Sequence, residues 1–265
     1  MDFVSAALLS LGFTGEAAAS ARAALRPART LGPGEELTAQ EGDATGLHLL
    51  ISGVVKSSRN LDSGLAQTLA LYTAGEAVGL QAIALGREAN SVVAVTKSRV
   101  SSLPASRLRA LQRDHPQVTE GLWRAMARES AILQEWTVGM GRRTALSQIA
   151  HLLCEIAERM RLAGGAHGDT YEFPLTQCEL ADAVGLSPVH VNRILQTLRS
   201  EGLVALSRSK LQIGDWERLA DLADFDPAYL GQHPSLGDRH AALLLPPGDA
   251  GGPRARRDWE PLPER

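Results

Sequence analysis

The side chains best suited to contact another molecule lie close together around position 190, in the string SPVHVNR at residues 187–193. Arg193 can donate two hydrogen bonds to a guanine, and Asn192 can form a similar pair with an adenine. His190 can bond to an acceptor, and Val189 can pack against the methyl group of a thymine. These residue types, on one short segment without an acidic residue, predict a surface that reads the base edges of double-stranded DNA.

A helix with one buried face is needed to hold these side chains outward. Four apolar residues recur at the i, i+3, i+4 and i+7 positions of such a face: Val191, Ile194, Leu195 and Leu198. Ser187 can cap the first turn, where Pro188 is tolerated because the amide protons of that turn have no partner in the helix. The pattern therefore predicts a helix whose outer face carries Val189, His190 and Arg193.

A second helix is predicted immediately before this one. Thr176 and Glu179 have the spacing of a capping box, and Gly185 is placed to end the helix. Two helices joined by a short turn that contains glycine are typical of the helix-turn-helix motif. We therefore include Thr176, Gln177 and Ser187, at the starts of the two helices, among the candidate DNA-binding residues. The alternative is a three-helix bundle with an ordinary solvated face.

A basic hairpin is predicted after the second helix, from β-prone runs at residues 204–206 and 211–213. Its tip, residues 207–210, reads SRSK. Positive charge at Arg208 and Lys210 would attract phosphates without reading sequence. A hairpin in this position is the wing of a winged helix-turn-helix, and these two residues complete the candidate DNA-binding set.

The string LTQCELADAVGLSPVHVNRILQTLRSEGLV, residues 175–204, is similar to the C-terminal signature of the Crp/Fnr superfamily of bacterial transcription regulators. The resemblance implies an α+β protein with an N-terminal double-stranded β-roll (jelly roll) sensor, a long dimerisation helix and a C-terminal winged helix-turn-helix. It also implies a homodimer that binds a palindromic DNA operator and contacts RNA polymerase. An acidic residue common early in the family's recognition helix is replaced here by Pro188, Val189 and His190. Of the family's DNA contacts, we therefore carry over to this chain only the reading of a guanine by Arg193.

The rest of the sequence favours the same architecture. Short β-prone runs separated by glycines predict a small barrel or jelly roll, with strands at residues 47–51, 54–57, 65–72, 91–96 and 99–103. Residues 3–26 predict a short helical segment that ends before Pro27. The predicted divisions are an N-terminal helical segment at 1–28, the β-roll at 29–114, the dimerisation helix at 115–142, the DNA-binding domain at 143–216, and a short helix with a disordered tail at 217–265.

The helix predicted after Pro116 carries an apolar seam that Glu129 interrupts. Steps of four, seven, three and four residues separate the members of this seam: Leu122, Met126, Leu133, Trp136 and Met140. This spacing is typical of coiled coils and predicts an interface between two copies of the chain. The alternative is that the helix packs only on its own chain.

The resemblance also indicates where an effector would bind. Cyclic-nucleotide binders of the family use a Gly-Glu pair for the ribose and a later arginine for the phosphate. Gly75-Glu76 is present here, but the later stretch reads GREAN at 86–90. Arg87 is one residue out of register, and Glu88 would stand unfavourably beside a phosphate. Glu76 and Arg87 are therefore candidate effector contacts. The preferred interpretation, however, is that both residues lie at the solvated rim of the β-roll and bind no effector.

No cofactor or metal site is predicted. The two cysteines, Cys154 and Cys178, lack the spacing of a zinc or iron–sulfur site. His48 is isolated in a strand-like run and is interpreted as a core or rim residue rather than as a haem ligand. Cys178 is interpreted as a small packing residue, with a redox role as the alternative. The sequence therefore does not support a cyclic nucleotide, haem or an iron–sulfur cluster.

The composition leaves few other classes of function. A net charge of −3 argues against coating nucleic acid by bulk attraction. Neither a secretory leader nor a membrane span is predicted, so a cytoplasmic location without a membrane partner is expected. No catalytic residue is predicted, and the chain is not expected to be an enzyme. One alternative is a cupin-like module, but residues 29–104 lack the pair of histidines that such a metal site would need. The other is a cyclic-nucleotide-binding module without a DNA-reading role.

Overall fold

Two four-stranded antiparallel sheets form the N-terminal β-roll, with strand orders β1-β8-β3-β6 and β2-β7-β4-β5. The strands are β1 (Arg29–Leu31), β2 (Glu36–Thr38), β3 (Gly46–Ser52), β4 (Val54–Asn60), β5 (Ala66–Thr73), β6 (Ala77–Val78), β7 (Ser91–Ala94) and β8 (Ser98–Pro104). Leu50 and Val100 from one sheet form a single buried cluster with Val55 and Val92 from the other. Apolar residues of both sheets therefore pack face to face, and the predicted jelly roll is confirmed.

The computed structural model describes residues 2–64, 66–164, 166–167, 170–173, 175–207 and 210–231. Parts of three sequence predictions lie outside these residues. They are Leu65 of a predicted strand, Arg208 of the predicted wing, and the predicted disordered tail beyond Gly231.

The N-terminal residues form two helices, α1 (Phe3–Ser10) and α2 (Gly15–Ala24), where the sequence predicted one helical segment. The chain turns between them at Gly12, whose φ of 78° favours glycine. A Cβ atom at Gly12 would lie 2.7 Å from the Cα atom of Gly121 in the long helix. The two backbones are therefore in direct contact, and side chains at either position would force them apart.

Several short elements of the β-roll were not predicted. The helix α3 (Leu80–Leu85) lies between two glycines in the left-handed region, and α4 (Ala105–Asp114) follows β8 without a loop. Strands β1, β2 and β6 contain only two or three residues, too few for an alternating pattern to be visible in the sequence.

The long helix α5 (Gln117–Arg142) has a different exposed face from the one predicted. Leu122 and Trp136 are buried against their own chain, so their assignment to an intermolecular seam is wrong. A row with alternating steps of three and four residues is exposed except at Met126, which is half-buried against its own chain: Trp123, Met126, Ser130, Leu133, Thr137 and Met140. We call this row the exposed seam. A displacement of one residue rotates a helical position by about 100°, which explains the error.

The C-terminal half contains α6 (Ala145–Leu162), α7 (Gln177–Val184), α8 (Pro188–Ser200) and α9 (Trp216–Ala223), followed by a 3₁₀ turn at Pro227–Leu230. Strands β9 (Ala166–His167), β10 (Thr170–Glu172), β11 (Val204–Ser207) and β12 (Lys210–Ile213) form a sheet of order β11-β12-β10-β9. One buried cluster joins Leu153 of α6 to Val191 of α8 and Leu219 of α9. Within the described part of the chain, we find no helix with the length and apolar character needed to cross a bilayer.

Candidate nucleic-acid interface

The predicted recognition helix is α8, and local interactions fix where it begins. The Ser187 hydroxyl accepts a hydrogen bond from the His190 amide at 3.3 Å, and Pro188 occupies the first turn. Val191, Ile194, Leu195 and Leu198 are all buried, as their spacing predicted. The opposite face of the helix is thereby turned outward.

The outer face of α8 carries the four predicted base-reading side chains. Asn192 and Arg193 are exposed, and His190 is half-buried. Val189 is 81% exposed, the largest exposure among the large hydrophobic residues that the structure describes as exposed. The first turn of α8 therefore presents a branched apolar side chain that is accessible to a partner.

The capping box at the start of α7 is present and limits what Thr176 can do. The amide and the hydroxyl of Thr176 both donate to Glu179 Oε2, at 2.6 and 2.8 Å, and the Glu179 amide donates back to the hydroxyl at 3.3 Å. A contact from Thr176 to a phosphate would have to replace one of these bonds. The exposed side chain of Gln177 is free of them and is the better-placed donor at this end of α7.

The wing is an antiparallel hairpin in which β11 pairs with β12 from Val204–Ile213 to Ser207–Lys210. Lys210 is exposed at its tip, while Arg208 lies outside the described residues. The Arg199 guanidinium donates to the Leu206 carbonyl at 3.2 Å and so ties α8 to the hairpin. The position of the wing is therefore fixed by the helix beside it.

A groove of about 310 Å³ lies between α7, α8 and the wing. Four predicted DNA-binding residues line it, namely Thr176, Gln177, Asn192 and Lys210, whereas Ser187, Val189, His190 and Arg193 lie outside its lining. Its described lining includes the cations Arg199 and Lys210 and no acidic residue. Such a lining attracts a phosphate backbone.

The two cysteines occupy different environments. Cys154 is buried in α6, and burial raises the pKa of its thiol to about 12. Cys178 is exposed on α7, so its interpretation as a packing residue is wrong. The helix α7 has eight residues and buries only one of its faces. Cys178 lies on the opposite, exposed face.

Glu76 does not lie at a solvated rim, as was preferred, but at a junction between the β-roll and α6. Its Oε1 accepts from Arg159 Nε at 2.9 Å, and its Oε2 from Arg159 Nη2 and the Thr73 amide, both at 2.7 Å. Burial would raise the pKa of Glu76, but the Arg159 guanidinium holds it below its ordinary value. Arg87, the other candidate effector contact, is exposed, and its backbone forms a β-bridge with Asp43.

The same arginine connects this junction to the long helix and the C-terminal turn. Arg159 Nη1 lies 2.8 Å from Glu155 Oε1, and Glu155 Oε2 accepts from Trp136 Nε1 at 3.1 Å and from the Tyr229 hydroxyl at 3.0 Å. Burial raises the pKa of Glu155 despite the nearby guanidinium. Sequence reasoning missed this network. The available signal was the i, i+4 spacing of Glu155 and Arg159, next to the apolar positions Leu152, Ile156 and Ala157 of the same helix.

Comparisons with known proteins support the assignment of each half of the chain. A family model described as "Crp-like helix-turn-helix domain" matches residues 147–222, and one described as "Cyclic nucleotide-binding domain" matches residues 28–115. The CRP-like cAMP-activated global transcriptional regulator of Mycobacterium tuberculosis is 30% identical over 176 residues, which cover 66% of this chain and 78% of that protein. The transcriptional activator protein Anr of Pseudomonas protegens is 27% identical over 195 residues, covering 74% of this chain and 80% of that protein.

Solved structures give the same fold. FixK2 from Bradyrhizobium japonicum matches with a TM-score of 0.68 and 22% identity, covering 74% of this chain and 96% of that chain. TTHB099, a CRP-family transcriptional regulator from Thermus thermophilus, matches with a TM-score of 0.59 and 22% identity, covering 74% and 97%. The predicted α+β architecture is confirmed.

The residues of the β-roll do not fit the cyclic nucleotide that this domain type implies. A cavity of about 320 Å³ lies between the β-roll and α5, but its described lining contains Glu88 and Glu129 and neither lysine nor arginine. A cyclic phosphate is an anion and needs a cation or several donors at close range. Glu76, expected at the ribose, is instead bonded through both oxygens to Arg159.

Proposed function

The chain belongs to the Crp/Fnr family of sequence-specific, DNA-binding transcription regulators, and from this premise we propose that it binds a palindromic operator as a homodimer. The single observation that carries the proposal is the outer face of α8, where an exposed valine, asparagine and arginine follow a capped first turn beside a basic groove. Contact with RNA polymerase is expected when the operator lies near a promoter.

We assign base reading to Val189, His190, Asn192 and Arg193. A bidentate arginine contact to guanine is the commonest specific contact in the major groove, and the exposed guanidinium of Arg193 has no competing ion pair in the described structure. The exposed Val189 is suited to a thymine methyl. These four side chains would set the sequence preference.

Phosphate contacts are assigned to residues around the recognition face: Thr176, Gln177, Ser187, Arg208 and Lys210. Gln177 and Lys210 line the basic groove, which supports a path for the DNA backbone between α7 and the wing. Thr176 would contribute only by exchanging a bond with Glu179. Such contacts fix the register of the protein on the duplex without reading sequence.

The exposed seam of α5 supports the homodimer. Leu133 and Met140 are close to half-exposed, and Trp123 is more exposed still, although the opposite face of the helix is packed against its own chain. Their alternating spacing is that of a two-stranded coiled coil, in which an identical helix would cover them. A symmetric dimer would present two copies of α8 to half-sites about 34 Å apart.

We propose that signals reach α8 through the junction at Arg159. This residue pairs with Glu76 of the β-roll, and a second contact joins the β-roll to α7, where Gln67 Nε2 donates to the Asp182 carbonyl at 3.2 Å and Lys56 lies 3.6 Å from the Asp182 carboxylate. The predicted DNA-binding domain therefore contacts the β-roll at two places, through α6 and through α7. No cyclic nucleotide, haem or iron–sulfur cluster is proposed.

Selection of bound sequences from a random duplex pool by the full chain tests the proposal. The expected result is a two-fold symmetric motif whose half-sites are centred about one helical turn apart. Enrichment of a single unrepeated half-site would contradict the homodimer, and enrichment of no motif would contradict the assignment of α8.

A further inference from the structure

The C-terminal turn, Pro227–Leu230, is anchored in the buried cluster that α6 shares with α7, α8 and α9. Leu230 is buried in this cluster, and Asp226 caps the turn by accepting a hydrogen bond from the Ala228 amide at 2.9 Å. The turn contacts both α5 and α6. It therefore lies where the long helix meets the first helix of the DNA-binding domain, although none of its residues belongs to the candidate DNA-binding set.

Tyr229 makes the contacts that tie this turn to α6. Its hydroxyl donates to Glu155 Oε2 at 3.0 Å, and its ring stacks on His151 with the centroids 5.8 Å apart and the planes inclined by 16°. His151 and Glu155 lie one turn apart on α6, and both are buried. Phe225 packs edge-on against both rings. A polar contact and an aromatic one therefore fix the orientation of Tyr229.

Glu155 is the point at which α5 joins this arrangement. The oxygen that accepts from Tyr229 also accepts from Trp136 Nε1 at 3.1 Å, while the other oxygen is paired with Arg159. A fully buried carboxylate depends on such partners because burial keeps water from replacing them. One atom, Glu155 Oε2, thus links the long helix to the C-terminal turn.

The connection between α5 and α6 leaves the angle between these helices to side-chain contacts. Arg143 and Thr144 separate the two helices, and the backbone of both residues is extended. At a helical rise of about 1.5 Å per residue, Trp136 lies roughly 10 Å before this bend and Glu155 roughly 16 Å beyond it. A hydrogen bond formed at such distances from the bend holds the two helices at one angle.

We propose that Glu155 and Tyr229 are positioning residues for operator binding. Together with Trp136 they hold α6 at one angle to α5, and α6 packs on the recognition motif through the shared buried cluster. In a dimer joined along α5, that angle sets the separation of the two copies of α8. Half-sites about 34 Å apart reward one separation only. This assignment rests on the proposed function, because it takes the bound form to be a homodimer on a palindromic operator.

A distance measurement without DNA tests whether these residues fix the angle. Cys178 is exposed on α7, whereas burial raises the pKa of the Cys154 thiol to about 12, so a spin label reacts selectively with Cys178. Ala127→Cys adds a second label on α5, at an exposed position that does not belong to the exposed seam. Labelled full-length chain is refolded with an excess of unlabelled chain, so that double electron–electron resonance reports the distance within one chain.

Two variants each remove one donor to Glu155 Oε2, Tyr229→Phe from the C-terminal turn and Trp136→Phe from α5. Ile156→Val is the control, because Ile156 is buried next to Glu155 on α6 and has no polar atom in its side chain. Circular dichroism verifies that each variant is folded. Both donor variants are expected to broaden the distance distribution, and the control is expected to keep it. Unchanged distributions in both donor variants would overturn the role of Glu155 in fixing the angle.

Operators with one base pair inserted or removed between the half-sites give a second readout. A loss of stability alone lowers binding to every operator by the same factor and leaves the preference for one spacing unchanged. That preference is expected to fall at least about three-fold in Tyr229→Phe and to persist in Ile156→Val. An unchanged preference in Tyr229→Phe, or an equal fall in Ile156→Val, would overturn the proposal.

The two measurements separate this proposal from the proposed function. A wild type without any preference for spacing would contradict the homodimer on a palindrome. The distances within one chain depend on neither DNA nor a second copy, so they report on Glu155 and Tyr229 in either case.

Discussion

Oε2 of Glu76 lies 2.7 Å from Nη2 of Arg159, across the boundary between the β-roll and the helix that leads to the DNA-binding domain. The two side chains are 7% and 17% exposed, for Arg159 and Glu76 respectively, so the pair is held largely out of water. Arg159 also forms an ion pair with Glu155, which is fully buried. One arginine therefore compensates two buried carboxylates.

Arg159→Met is expected to lower the free energy of unfolding by about 3–5 kcal/mol, because it leaves both carboxylates buried without a counter-ion. Urea denaturation at fixed protein concentration measures the change. The control is Arg124→Met, which removes an ion pair with Glu120 on α5 in which both side chains are exposed and should cost at most about 1 kcal/mol. Equal losses in the two variants would show that the junction does not hold the halves together.

Stability is expected to depend on pH through Glu129. Its pKa rises from 4.5 to about 7 on folding, so between these values the native state binds more protons than the unfolded state. The contribution of Glu129 therefore falls as pH rises through this window. His48 and His151 act in the opposite sense below pH 6.5, since burial lowers the pKa of each to about 4.

The difference between wild type and Glu129→Gln isolates this contribution, because both proteins share the two histidines. Denaturant unfolding at intervals from pH 5 to pH 8 is expected to give a wild-type stability that declines relative to the variant as pH rises. A difference that is constant with pH, or that changes in the wild type's favour, would contradict the burial of Glu129 beside the cavity.

The contact between the N-terminal turn and α5 should not tolerate a methyl group. A Cβ at Gly121 would lie 2.2 Å from the Leu11 carbonyl oxygen, whereas one at Gly141 on the same helix would meet nothing within 4 Å. Gly121→Ala is expected to destabilise the protein by about 1–3 kcal/mol through overpacking. Gly141→Ala should instead stabilise it by up to about 1 kcal/mol through helix propensity. Thermal unfolding of both variants measures the effects, and a neutral Gly121→Ala would disprove the close contact.

The exposed seam of α5 can be tested with two residues of equal exposure. Leu133 on the seam and Val138 off it are each 45% exposed. Leu133→Glu is expected to convert a dimer to a monomer in sedimentation velocity, because it places like charges against each other across the interface. Val138→Glu should leave the dimer intact. Dissociation by both substitutions, or by neither, would argue against this seam.

The sequence was informative where interactions are local. The capping box of Thr176 and Glu179 and the buried face of α8 depend on residues a few positions apart, and both are present in the structure. The Glu76–Arg159 pair joins residues 83 positions apart, so no periodicity or spacing could indicate it. The seam predicted for α5 contained the buried Trp136, whereas the exposed seam contains its neighbour Thr137. An apolar pattern does not distinguish a helix face packed on its own chain from one open to a partner.

The base preference of Arg193→Ala tests most directly whether α8 reads the DNA sequence. Binding of wild type and variant is titrated against the selected operator and against operators with each base pair changed, at two salt concentrations, with Arg113→Ala on α4 as the control. Arg193→Ala is expected to lose about 1–3 kcal/mol of discrimination at one guanine position in each half-site and to keep the preferences elsewhere. A uniform loss across all sequences, or no loss, would contradict base reading by α8.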